Sequence, residues 1–128
     1  MLNEIVLHGR LVRDPELRYT QSQKPVTSFS LAVERDYAPA GEKKETDFID
    51  VIAWNNTANF VHQHFEKGQA AIVRGRLQIR DWTDRDGNKR KAAEVVADAV
   101  YFAESKKKAE AADSKLTEID DSDGELPF

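Results

Sequence analysis

From Val73 to Arg80 the chain alternates without a break. Val73, Gly75, Leu77 and Ile79 fall on one side, and Arg74, Arg76, Gln78, Arg80 and Trp82 on the other. Successive side chains of an extended strand point to opposite faces, so this period demands a β-strand and not a helix. The first face suits a core. The second is a row of guanidinium groups closed by an indole. Bases stack on aromatic side chains for about 1–3 kcal/mol each, and arginines hold phosphates. A merely solvated strand face, with the tryptophan covering a barrel rim, fits the same residues equally well.

The segments around this strand restrict the fold further. "NEIVLHGRLVR", 3–13, is rich in β-formers and holds Gly9, which suggests a bulge or bend. "RDPELRYTQSQKP" reads as a loop. "VTSFSLAVERDY" alternates, with Thr27, Phe29, Leu31 and Val33 as its core face. "APAGEKKET" is a second loop. "DFIDVIAW", 47–54, is a strand with apolar groups on both faces; Ile49, Val51 and Ala53 supply core, while Phe48 and Trp54 share the other face. "NNTANFVHQHFEKG" is the one helix signal. Asn55 or Asn56 is its expected N-cap, Phe60, Val61, His64 and Phe65 its apolar stripe, and Gly68 its C′ glycine. "TDRDGNKRK" is a polar hairpin turn signalled by Asp86-Gly87, and "AAEVVADAVYF" the last strand. Five strands with one helix between the third and fourth is the order of an OB-fold, a small, mainly β, partly open barrel.

Composition excludes several chemistries. The 128 residues include no cysteine, which removes disulfides, thiolate metal sites and a cysteine nucleophile. No Walker loop is present, His8 is alone, and His62 and His64 point apart on a helix. "DRDGN", 84–88, is a fragment of a calcium loop without its distal glutamate. The expectation is a protein that is not an enzyme, with no cofactor and no metal. No basic n-region precedes an apolar run at the start, and no stretch reaches the roughly 20 apolar residues of a membrane span, so a cytoplasmic protein is expected.

The net charge of −4 is unevenly spread. Residues 1–104 carry 15 basic and 16 acidic side chains, and residues 105–128 carry 4 and 7. The average conceals a nearly neutral body and an acidic terminus. The expected organisation is a domain over 1–104, a disordered linker over 105–117 and an acidic tip over 118–128.

Together these blocks resemble the bacterial-type single-stranded DNA-binding proteins. "GRLVRDPELRY", "FSLAVERDY", "TDFIDVIAW", "FEKGQAAIVRGRLQIRDWTDRDGNKR" and "EVVADAVYF" follow in that family's order and spacing, and "DSDGELPF" is similar to its acidic tip ending in Pro-Phe. The resemblance implies an OB-fold that binds single-stranded DNA without strong sequence preference, assembles as a homotetramer, and serves replication, recombination and repair. It places Tyr37, Phe48, Trp54 and Trp82 at the base-stacking positions. Ile49 stands where the best-known members carry an interface histidine, and Asp50 where they carry an arginine. With the aromatics go Arg74, Arg76 and Arg80, and Lys43 and Lys44 in the loop beside Tyr37.

The tip residues Asp123, Gly124, Glu125, Leu126, Pro127 and Phe128 are expected to bind partner proteins. Phe128 would enter an apolar pocket rimmed by basic groups, with the acids meeting the rim. Two other readings remain open at this point: an OB-fold protein adaptor with little DNA affinity, and a metal-dependent nuclease using the scattered acids.

Overall fold

The computed structural model describes residues 1–104. Six strands and one helix follow in the order β1 (Ile5–Leu11), β2 (Glu16–Tyr19), β3 (Pro25–Glu34), β4 (Thr46–Trp54), α1 (Asn55–His64), β5 (Ala70–Thr83) and β6 (Lys89–Phe102). They form one sheet ordered β1-β5-β6-β4-β3-β2. β1 also pairs with β3, at Arg10–Ala32 and Leu11–Leu31, which closes the sheet into a barrel. The OB-fold expectation holds, with one strand more than the sequence suggests. β2 lies inside the stretch read as a loop: four residues bracketed by prolines carry too little alternation to show, but they pair with β3 from Glu16–Ser28 to Tyr19–Pro25.

Phe29, Leu31, Val51, Ala53, Val73, Val95 and Val100 fill the barrel, and Ala58, Val61 and Phe65 of the helical segment plug one end. The helix is anchored by a buried hydroxyl: Thr27 Oγ1 donates to the Ala58 carbonyl at 2.9 Å. The core face of β3 is the one its alternation indicated. Rings cluster at the C-terminal end of α1, Phe65 stacking on Phe102 with centroids 4.7 Å apart and His64 packing on Phe60 at 4.8 Å.

Two helix signals act differently from their expected roles. Among the described residues no side chain caps α1; Trp54 occupies the cap position, and Asn55 adopts a left-handed backbone with φ of 55° at the corner between β4 and α1. Asparagine tolerates that region better than most residues. Gly68 lies beyond the end of α1. It takes φ of 87° in the turn closed by the Gln69 N–H to the Glu66 carbonyl, and its own N–H donates to Leu11. A left-handed glycine is needed, but by a turn that docks on β1.

Both strand glycines sit at close approaches. A Cβ on Gly9 would run into the Ala32 carbonyl where β1 crosses onto β3, and one on Gly75 would run into the Val96 carbonyl. At Gly75 the β5–β6 register shifts: Arg74 pairs with Ala99 and Gly75 with Ala97, leaving Asp98 as the extra residue of a bulge. Beyond that bulge the hairpin outgrows the barrel. Leu77 and Ile79, which the alternation assigned to the core, keep the core-side parity but are exposed, because no helix or opposing strand among the described residues covers that length of β5.

Candidate nucleic-acid interface

One cross-strand row defines a face shared by five strands. Glu16 pairs with Ser28, Ser28 with Ile52, Ile52 with Val96, and Val96 with Arg76. Paired residues present their side chains on the same side of a sheet. By parity from that row, Phe48 and Trp54 of β4 and Gln78, Arg80 and Trp82 of β5 occupy this side, with the core residues behind it. Phe48 is 68% exposed, Trp54 39% and Trp82 44%. Three large rings therefore open to solvent from one sheet surface. In a closed domain such groups normally pack, so their alignment calls for a partner.

Two arginines of this face, Arg76 and Arg80, are already held by hydrogen bonds. Arg80 Nε lies 3.2 Å from Glu94 Oε1, Gln78 Nε2 lies 3.5 Å from Glu94 Oε2, and Arg76 Nη1 donates to Gln78 Oε1 at 3.1 Å. Arg74 stands across the bulge, paired with Val6 and Ala99, so it extends the surface toward β1 and away from the aromatics. Asp50 shares the face with Phe48 and accepts a hydrogen bond from Ser30 at 2.9 Å, which places a negative charge among the rings.

Tyr37, Lys43 and Lys44 lie in the loop of residues 35–45 that joins β3 to β4. Arg35 ties its base: the backbone N–H bonds the Glu45 carbonyl at 2.8 Å, and the guanidinium grips Asp47 through two bonds of 3.0 and 3.1 Å. That hydrogen bonding holds the Asp47 carboxyl below its ordinary value and raises Arg35. Tyr37 is 79% exposed and joins no ring contact among the described residues. The loop thus presents an aromatic and two lysines at the edge of the face.

At the far end of the hairpin the Asp84 carboxylate is consumed by the turn. It accepts the Asn88 and Asp86 N–H groups and the Arg90 guanidinium, and the Asn88 backbone bond, with Arg90 next, lowers its proton affinity. The calcium-loop fragment is a turn device.

Two basic residues of the face were not foreseen. Arg18 pairs with Val26, which pairs with Trp54, so a guanidinium continues the surface past that ring. Arg90 pairs with Trp82. The second did not follow from the Asp86-Gly87 signal, because a two-residue turn there sets Trp82 opposite Lys91, whereas the ladder is centred on Asp86 and pairs Thr83 with Lys89. The first was hidden with β2. The partner-binding residues Asp123 to Phe128, and the linker over 105–117, lie outside the described residues.

Barrel closure, strand order and an exposed aromatic and basic strand face together define an OB-fold domain of the oligonucleotide-binding kind. A family model described as the single-strand binding protein family matches residues 2–103, and the chain belongs to that family. It is 43% identical over 106 residues to a single-stranded DNA-binding protein of Caldanaerobacter subterraneus, covering 83% of this chain and 71% of that protein. It is 46% identical to single-stranded DNA-binding protein 1 of Staphylococcus aureus, with 83% and 68% covered. Among solved structures, a Plasmodium falciparum SSB complex with ssDNA superposes with a TM-score of 0.73 at 24% identity, over 81% of this chain and 96% of that one, a likeness of fold.

Proposed function

We propose that this protein binds single-stranded DNA without strong sequence preference. The observation that carries the reading is the common face of Phe48, Trp54 and Trp82 with Arg76 and Arg80 among them. Every base has a ring face to stack, so such a surface accepts any sequence. Tyr37, Phe48, Trp54 and Trp82 are the stacking groups. Arg74, Arg76, Arg80, Lys43 and Lys44 meet phosphates, and Arg18 and Arg90 lengthen the track. The family is one of binding proteins, so no reaction is assigned to the face. The names of the relatives support the ligand. The bound strand is shielded during replication, recombination and repair in the cytoplasm, at the nucleoid. No helix among the described residues is long and apolar enough to cross a membrane.

Oligo-dT titrated at fixed salt should quench the fluorescence of Trp54 and Trp82. Replacing both by alanine should weaken binding by about 2–6 kcal/mol, two stacked bases at 1–3 each. Equal affinity for duplex DNA, or unchanged affinity in the double variant, would overturn the reading.

Assembly as a homotetramer, and recruitment of replication and repair proteins by Asp123, Gly124, Glu125, Leu126, Pro127 and Phe128, complete the proposal. An apolar Leu-Pro-Phe run behind four acids suits a small hydrophobic pocket with a basic rim. Removing Gly124–Phe128 should spare oligo-dT binding and abolish partner capture; loss of DNA binding instead would refute that division of labour.

A further inference from the structure

The hydrogen-bonded chain on the β5–β6 hairpin has an acid at its centre, which is the opposite of what a surface for a polyanion needs. Glu94 faces the same side as Arg76, Gln78 and Arg80, opposite Gln78 in the ladder. Its side chain is only 13% exposed, against 55% for Arg80. Burying a carboxylate on such a surface is unfavourable unless the groups around it use it. Both oxygens are used, one by Arg80 and one by Gln78, and Gln78 passes the constraint on to Arg76.

The bond from Arg80 is the informative one. It leaves through Nε, on the flank of the guanidinium, and the terminal nitrogens Nη1 and Nη2 make no hydrogen bond among the described residues. Those terminal nitrogens form the fork that grips a phosphate. A flexible arginine must lose side-chain freedom when it docks; one held at Nε has lost most of it beforehand. Arg76 and Arg80 lie four residues apart on one strand, a separation of about 13 Å at 3.3 Å per residue. The chain through Gln78 and Glu94 holds both at that separation.

We propose that Glu94 is a positioning residue for single-stranded DNA: its carboxylate aims the Arg80 fork outward and, through Gln78, fixes Arg76 in line with it. The inference rests on the DNA-binding reading above. It makes a prediction of opposite sign to simple electrostatics. Removing a negative charge from a DNA-facing surface should tighten binding if charge alone matters. If Glu94 positions Arg80, removing it should weaken binding and cost one phosphate contact.

The test is titration of oligo-dT with the full chain across a salt series. Glu94→Ala removes both acceptor oxygens and should bind about fivefold more weakly at 0.1 M salt, with a salt slope shallower by about 0.7, the value of one single-strand phosphate contact. Glu94→Asp keeps the charge and withdraws the acceptor by one methylene, so it should weaken binding in the same direction. In an Arg80→Ala background Glu94→Ala should lose most of its effect, keeping only the part that passes through Gln78 to Arg76. Tighter or unchanged binding by Glu94→Ala, an unaffected Glu94→Asp, or an undiminished Glu94→Ala effect without Arg80 would each overturn the proposal. If Glu94→Ala does not fold, Glu94→Asp and its Arg80→Ala cycle decide alone. Failure of the unsubstituted chain to bind oligo-dT would instead remove the parent reading, and this one with it.

Discussion

At the scale of single residues, the molecule depends on positions where a side chain is missing as well as where one is present. Gly75 is the clearest. Any Cβ there meets the Val96 carbonyl and the Cα of Ala97, both backbone atoms of the neighbouring strand. Backbone in a paired ladder cannot step aside as a side chain can. Gly75→Ala should therefore destabilise the domain by about 1–3 kcal/mol through overpacking. It should also loosen the bulge that releases the hairpin from the barrel. Thermal unfolding checks this; a melting temperature within about a degree of the parent would mean the bulge shifts without strain. Glycine in a strand is visible in a sequence, but its reason is not, because the colliding atoms belong to a strand some twenty residues away.

Among the elements, the β5–β6 hairpin carries most of what was legible and the main thing that was not. Its alternation, its turn and its aromatic and basic face could all be read from residues 72–91. Where the barrel stops could not, since Leu77 and Ile79 continue the apolar pattern past Gly75, the last buried residue of β5. Periodicity reports which side a residue faces, and coverage of that side is set by other elements. β2 was lost for the opposite reason: its pairing to β3 is clear in space, but four residues give no period to detect. The hairpin turn itself rests on Asp84. Its carboxyl titrates below the ordinary value, chiefly through the Asn88 N–H bond and then Arg90. A depressed carboxylate stabilises the fold above its unfolded pKa of about 3.9, and that contribution fades as the pH falls through the lower folded value. Asp84→Asn should thus melt below the parent at pH 7, with the gap narrowing beneath about pH 4. A gap independent of pH would place the effect in packing instead of charge.

For the whole molecule, the exposed length of the hairpin bears on assembly. Leu77 and Ile79 present apolar surface on the core-side parity of β5, and the Asn3 side chain clasps the Leu77 backbone from the other strand edge, accepting its N–H at 3.0 Å and donating to its carbonyl at 2.8 Å. Ordered backbone beneath exposed isoleucine and leucine is what a contact between copies requires. In a two-fold interface each residue acts twice. Burying one isoleucine side chain contributes about 1.5–3 kcal/mol. Ile79→Lys therefore removes roughly 3–6 kcal/mol from a symmetric contact, or about two to four powers of ten in association. If the homotetramer is built on this surface, light scattering at micromolar concentration should show Ile79→Lys as a smaller species than the parent. Its individual barrels should remain folded, because Ile79 takes no part in the core. Oligo-dT should still quench both tryptophans, since the aromatic face lies on the other side of the strand. A variant with the parent's mass would exclude Ile79 from any contact between copies, with the edge of β1 that is unpaired among the described residues, beside β3, next in line.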